Sequence, residues 1–140
     1  MKFRLSGLAL TATAVVSGCG LTGPAPTEVP AQSGRISIDG TSQNTESVEC
    51  TQHAWDLMID AAAKPGHAEV FLHLGGAEPV VRTVNIQNIN DIHGVAGGDT
   101  GKAEASIDGN VYTITGTVVG SDRANPSQSR PMPFEVKAPC

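Results

Sequence analysis

Residues His67–Leu74 read HAEVFLHL, with an apolar side chain at every second position. Ala68, Val70, Leu72 and Leu74 fall on one side of an extended chain, and His67, Glu69, Phe71 and His73 on the other. A period of two fits a strand with one buried face, because a helix would bring together residues three and four apart. The pattern recurs in both directions. In RISID, Ile36 and Ile38 oppose Arg35, Ser37 and Asp39. In NVYTITGTVV, Tyr112, Ile114 and Val118 alternate with Thr113, Thr115 and Thr117. In MPFEVKA, Met132, Phe134, Val136 and Ala138 stand against Glu135 and Lys137.

Two segments depart from simple alternation. AWDLMIDAAAK, residues 54–64, alternates through Trp55, Leu57 and Ile59, yet Trp55, Met58, Ile59 and Ala62 also fit a helical face; the strand is the expectation. In VNIQNINDI the apolar parity changes between Ile86 and Ile89, and an extra residue near Gln87-Asn88 would restore it as a bulge. Asp108-Gly109, between two alternating runs, is a hairpin signal. With 16 glycines and no long helical pattern, residues 35–140 read as one small mainly β domain, antiparallel and sandwich-like. About 105 residues suffice for a single core.

The N-terminus reads differently. Lys2 and Arg4 precede the uncharged run Leu5–Val16, which is the layout of an export signal and too short for an ordinary membrane-spanning helix. The run ends in Val16-Ser17-Gly18-Cys19, which looks like the site where bacterial prolipoproteins are acylated and cleaved just before the cysteine. Residues 1–18 are thus the expected lipoprotein signal peptide. Cys19 would carry the diacylglycerol as a thioether, and its freed amine a further fatty acid such as palmitate. Two or three acyl chains anchor a protein stably, whereas one holds it only marginally. Residues 19–34 form a tether rich in Pro, Gly and Ala, with Thr22, Thr27 and Ser33 as candidate O-glycosylation acceptors.

Removing residues 1–18 takes away Lys2 and Arg4 and no acid, which moves the formal charge from −5 to −7. Such a body suits neither nucleic-acid phosphates nor anionic lipid surfaces, so membrane attachment falls to Cys19. Cys50 and Cys140 remain, an even pair in an exported chain; a disulfide is expected in preference to two free thiols.

Few motifs carry chemistry. GGDTGKA, residues 97–103, fails as a phosphate loop because Ala96 and Ala103 replace the required glycine and hydroxyl. Its single Asp99-Thr100-Gly101 lacks the second carboxylate of an aspartic protease, and a glycine-rich turn is expected. Of His53, His67, His73 and His93, the two on residues 67–74 lie about 20 Å apart on a strand, too far for one metal. Asp91 and His93 lack a visible partner, and Ser121-Asp122 reads as a turn. No catalytic residue, cofactor or metal ligand is assigned. Trp55, Phe71 and Tyr112 could line an apolar cavity for a lipid or small ligand, but are expected to serve as core.

The run YTITGTVVGSDRANP, residues 112–126, resembles the mycobacterial nineteen-kilodalton lipoprotein antigen family (LpqH-like proteins). The matching positions are Tyr112, Ile114, Thr115, Gly116 and Thr117, then Gly120, Asp122, Ala124, Asn125 and Pro126. The likeness extends to ISIDG at 36–40, the valine-then-cysteine stretch ending at Cys50, NIN at 88–90 and the closing strand into Cys140. It implies a non-enzymatic lipoprotein of the cell envelope, lipid-anchored on the extracytoplasmic side. It further implies a glycosylated surface antigen and adhesin, whose acylated terminus is sensed by host innate receptors.

Overall fold

The computed structural model describes residues 34–140; the expected signal peptide (residues 1–18), Cys19 and the candidate acceptors Thr22, Thr27 and Ser33 lie outside the described residues. Ten strands are formed there: β1 (Arg35–Ile38), β2 (Thr41–Asn44), β3 (Ser47–His53), β4 (Asp56–Ala62), β5 (His67–His73), β6 (Val80–Ile89), β7 (Ile92–Gly97), β8 (Lys102–Asp108), β9 (Val111–Asp122) and β10 (Arg130–Pro139). All pairings are antiparallel, in the order β2-β1-β10-β9-β7-β6-β5-β4-β3, with β8 attached to β9.

The layers expected of a sandwich are supplied by one sheet that curls over itself as a half-barrel. The two ends of the path explain why. β2 and β3 are its outermost strands, yet only Thr45 and Glu46 separate them in sequence. The Thr45 N–H donates to the Gly34 carbonyl and the Glu46 N–H to the Ala62 carbonyl, which carries the β1–β2 and β3–β4 ladders into this short link. A second tie joins Cys50 of β3 to Cys140 beyond β10, with Cα atoms 5.8 Å apart.

The alternating residues fill the concave side. Ile36 and Ile38 of β1, Ala68, Val70 and Leu72 of β5, Ile114 and Val118 of β9, and Met132, Val136 and Ala138 of β10 are all but inaccessible. Leu57, Ile59 and Ala61 join them, so residues 56–62 form a strand whose inner positions match the expected alternation from Leu57 onward. Trp55 is the exception. Ala54 and Trp55 form the two-residue turn between β3 and β4, with Ala54 at φ 52°, and the indole points outward, 63% exposed. Phe71, 42% exposed, lies on the convex side of β5, where strict alternation with buried Val70 and Leu72 sends it. Neither ring belongs to the core; of the three, Tyr112 packs, half-buried, against the interior.

The register shift in β6 falls between Ile86 and Ile89, with Asn88 at φ 53°. That extra residue returns both isoleucines to the buried face. The hairpin after β8 also forms, but its loop is Gly109-Asn110; Asp108 is still paired, to Val111. A second irregularity lies between Phe71 and Leu72, where β6 holds one residue more than β5.

Candidate functional site

The polar groups gather where β6 turns into β7 and β9 runs out. Asn90 and Asp91 form the two-residue loop between Ile89 and Ile92, both at positive φ. Such turns match the twist of paired strands, and Asn and Asp tolerate the left-handed backbone better than most residues. Beside this loop, β7 pairs with the end of β9, setting Ile92 opposite Asp122 and His93 opposite Ser121. Ser121-Asp122 is therefore strand and not turn, and Asp91 and His93 find their neighbours here.

Backbone proximity explains two glycines of the 112–126 run. Gly120 faces Gly94 across the ladder, and a β-carbon on it would stand 1.7 Å from the His93 carbonyl oxygen. A β-carbon on Gly116 would stand 1.9 Å from that of Lys102. The remaining residues of the run fold the loop that follows. One Asp122 oxygen accepts the Asn125 N–H at 2.8 Å, and the Gln128 N–H donates to the Asn125 carbonyl.

Charge closes this end. The Arg130 guanidinium donates to Asp39 at 2.5 Å and lies 3.8 Å from Asp122, bridging the β1–β2 turn to β9 and β10. Its hydrogen bond holds the Asp39 carboxyl below its usual range, against a smaller opposing effect of desolvation. Arg123 approaches Asp91 at 3.8 Å, with both largely exposed, and its N–H donates to the Asp91 carbonyl. Gln43 of β2 donates to the Asn90 side chain at 2.7 Å. Asn88, Asp91, His93, Ser121, Asp122, Arg123 and Pro126 outline an open cleft of about 460 Å³.

Nothing in this cleft forms a nucleophile–base pair, and its carboxylates are engaged by arginines and a backbone N–H. Its chemistry is that of a latch, fixing the turns after β1, β6 and β9 to one another. Among the described residues no three His, Cys, Asp or Glu side chains converge on a metal position. His73 pairs with Asp56 at 3.0 Å, far along the sheet from His93. Asp99, Thr100 and Gly101 form the expected turn, in which Thr100 and Gly97 exchange backbone bonds.

The sequence pattern of the Mycobacterium 19 kDa lipoprotein antigen matches residues 27–140, which covers the whole sheet and the latch. The chain belongs to this family. Among similar proteins is Lipoprotein LpqH of Mycobacterium avium, 37% identical over 110 residues, spanning 76% of this chain and 67% of the relative. Lipoprotein LpqH of Mycobacterium tuberculosis H37Rv is also 37% identical over 110 residues, 76% of this chain and 68% of the relative. A putative lipoprotein of Mycobacterium indicus pranii is 28% identical over 137 residues, 96% and 95% of the two chains. The 19 kDa antigen family is one of envelope lipoproteins and not a known enzyme family.

Proposed function

We propose that this chain is a lipid-anchored surface protein, acylated at Cys19, whose β body is presented outward on the tether of residues 19–34. The observation that carries the reading is Cys19 itself, set behind an uncharged run and two small residues in a member of a lipoprotein family. The acyl groups are the part a host innate receptor would engage, since each buried methylene is worth about 0.8 kcal/mol. The body is the part through which adhesion would act, and Thr22, Thr27 and Ser33 are the proposed glycan acceptors. A carrier role for the body is disfavoured, because the concave side of the sheet is filled by its own aliphatic side chains.

The test is metabolic labelling with a fatty acid in wild type and Cys19→Ala. The label is expected to vanish in the variant, together with receptor signalling, while the protein moves from membranes to the soluble fraction. Undiminished label, or equal signalling by the unacylated form, overturns the proposal. A lipid co-purifying at one per chain with the Cys19→Ala form would instead favour the carrier.

A further inference from the structure

Three strands meet side by side where β3 turns into β4. Ala54-Trp55 is a two-residue loop, so His53 and Asp56 face each other as the last pair of that hairpin, and Asp56 in turn faces His73 on β5. Directly opposed residues of an antiparallel sheet share a face, with β-carbons about 4.5–5.5 Å apart. His53, Asp56 and His73 therefore form one row across the convex side, opposite to buried Leu57 and Leu72. The backbone beneath this row is held in place. Gln52 donates to the Ala54 carbonyl at 3.0 Å within the turn, and the Leu74 N–H donates to the Trp55 carbonyl at 2.6 Å just beyond His73.

Two of the three side chains already meet. His73 Nδ1 lies 3.0 Å from an Asp56 carboxylate oxygen, and the carboxylate is largely exposed. The imidazole occupies a space that Gly75 leaves open: a β-carbon there would stand 2.7 Å from Nε2, so the ring is seated with Nδ1 turned to Asp56. Ligand atoms each about 2.1 Å from one ion stand about 3.0–3.4 Å from each other, for right-angle to tetrahedral geometries. The Asp56–His73 spacing meets that requirement as it stands. His53 is exposed on the other flank of Asp56 and has only to turn about its own side-chain bonds to complete a set of three. Charge favours a cation here. β3, β4 and β5 carry Glu49, Asp56, Asp60 and Glu69 on this face and contain neither Lys nor Arg. The first basic side chain across the sheet is Arg82, at the irregularity in β6, one strand from His73 and two from Asp56.

We propose that His53, Asp56 and His73 form a surface site for one divalent transition-metal ion of the zinc–copper class, with water completing its coordination. Imidazole nitrogen beside carboxylate oxygen suits such ions, whereas calcium and magnesium take oxygen ligands. On binding, the ion takes the place of the proton between Nδ1 and the carboxylate, and the neutral His73 ring carries its one proton on Nε2. Neither His67 nor His93 offers an equivalent. His67 lies at the far end of β5, opposite Ala62 and Gln87, and His93 stands by carboxylates that arginines already engage.

The test uses the full, untagged chain carrying Cys19→Ala, so that the one cysteine outside the Cys50–Cys140 bond does not compete for metal. Zinc ion is titrated by calorimetry, and copper(II) ion against the emission of Trp55, the single tryptophan, which lies in the loop between His53 and Asp56. One zinc ion per chain is expected, with copper quenching that saturates at the same stoichiometry. His53→Ala and His73→Ala should each weaken zinc binding at least about tenfold, since losing even a group that merely supports a ligand costs that much. His53 is exposed, so its variant should keep the parent's melting temperature without metal. Zinc should raise the melting temperature of the parent and leave that of both variants unchanged. His67→Ala and His93→Ala should bind as the parent does. The proposal is overturned if zinc fails to bind, if His53→Ala or His73→Ala binds as the parent does, or if either control loses the site. Binding that appears only as chains associate in sedimentation overturns it too, in favour of a site shared by two copies.

Discussion

Gly120 shows how closely one residue type can be dictated. Facing Gly94 with the His93 carbonyl 1.7 Å from any added β-carbon, it accepts no side chain without parting β7 from β9. Gly120→Ala should cost about 3 kcal/mol, near the upper end for forced overpacking, and chemical denaturation reads it. Asp60 presents the opposite case. It stands between Glu49 and Glu69 on neighbouring strands, with one buried carboxylate oxygen that has no partner. Like charges directly opposed across a ladder destabilise by about 0.2–1 kcal/mol, so Asp60→Asn should raise the melting temperature by a few degrees. Asp39 is governed by pH. Its carboxyl titrates below the usual value because Arg130 stabilises the charged form, so its contribution is present above about pH 4. The contribution is lost as pH falls from there through the lowered value. Asp39→Asn should therefore melt lower than wild type near pH 6, with the difference closing toward pH 2, as thermal scans across that range would show.

At the level of elements, alternation made most of the sheet legible and also marked where reading stops. Ile36, Ile38, Val70, Leu72, Ile114, Val118 and Val136 were placed by period alone, and the parity change near Asn88 located a bulge. Trp55 and Phe71 were misassigned because size argues for burial, while turn position and parity decide it. The latch was illegible for another reason. Asp91, His93 and Asp122 meet only through the register of β7 on β9, a long-range fact that local spacing does not encode. The same holds for the margin closure, to which the disulfide contributes most plainly. Its two cysteines are 90 residues apart, so in the chain-entropy picture the bond is worth about 4–5 kcal/mol. The Cys50→Ser/Cys140→Ser pair should lose that much in urea unfolding. Hydrogen exchange should rise first in β3, which has a neighbour on one side only.

For the whole molecule, the decisive contrast is between its charge and its proposed address. The full chain carries −5 and, without residues 1–18, −7, so the body is repelled by anionic lipid. A protein held to such a surface by basic patches is released by salt, because the attraction is screened within about 8–10 Å near physiological ionic strength. Acyl chains obey no such rule. Their burial depends on apolar area, and added salt leaves it intact or slightly strengthens it. Under the proposed anchoring, membranes washed in about 1 M salt, where screening acts within about 3 Å, should retain the wild-type chain in full. Detergent should release it. The Cys19→Ala form should be absent from membranes at every ionic strength, since its acidic body supplies no second means of attachment. Release of the wild-type chain by salt alone, followed by immunoblot of the wash, would count decisively against a lipid anchor.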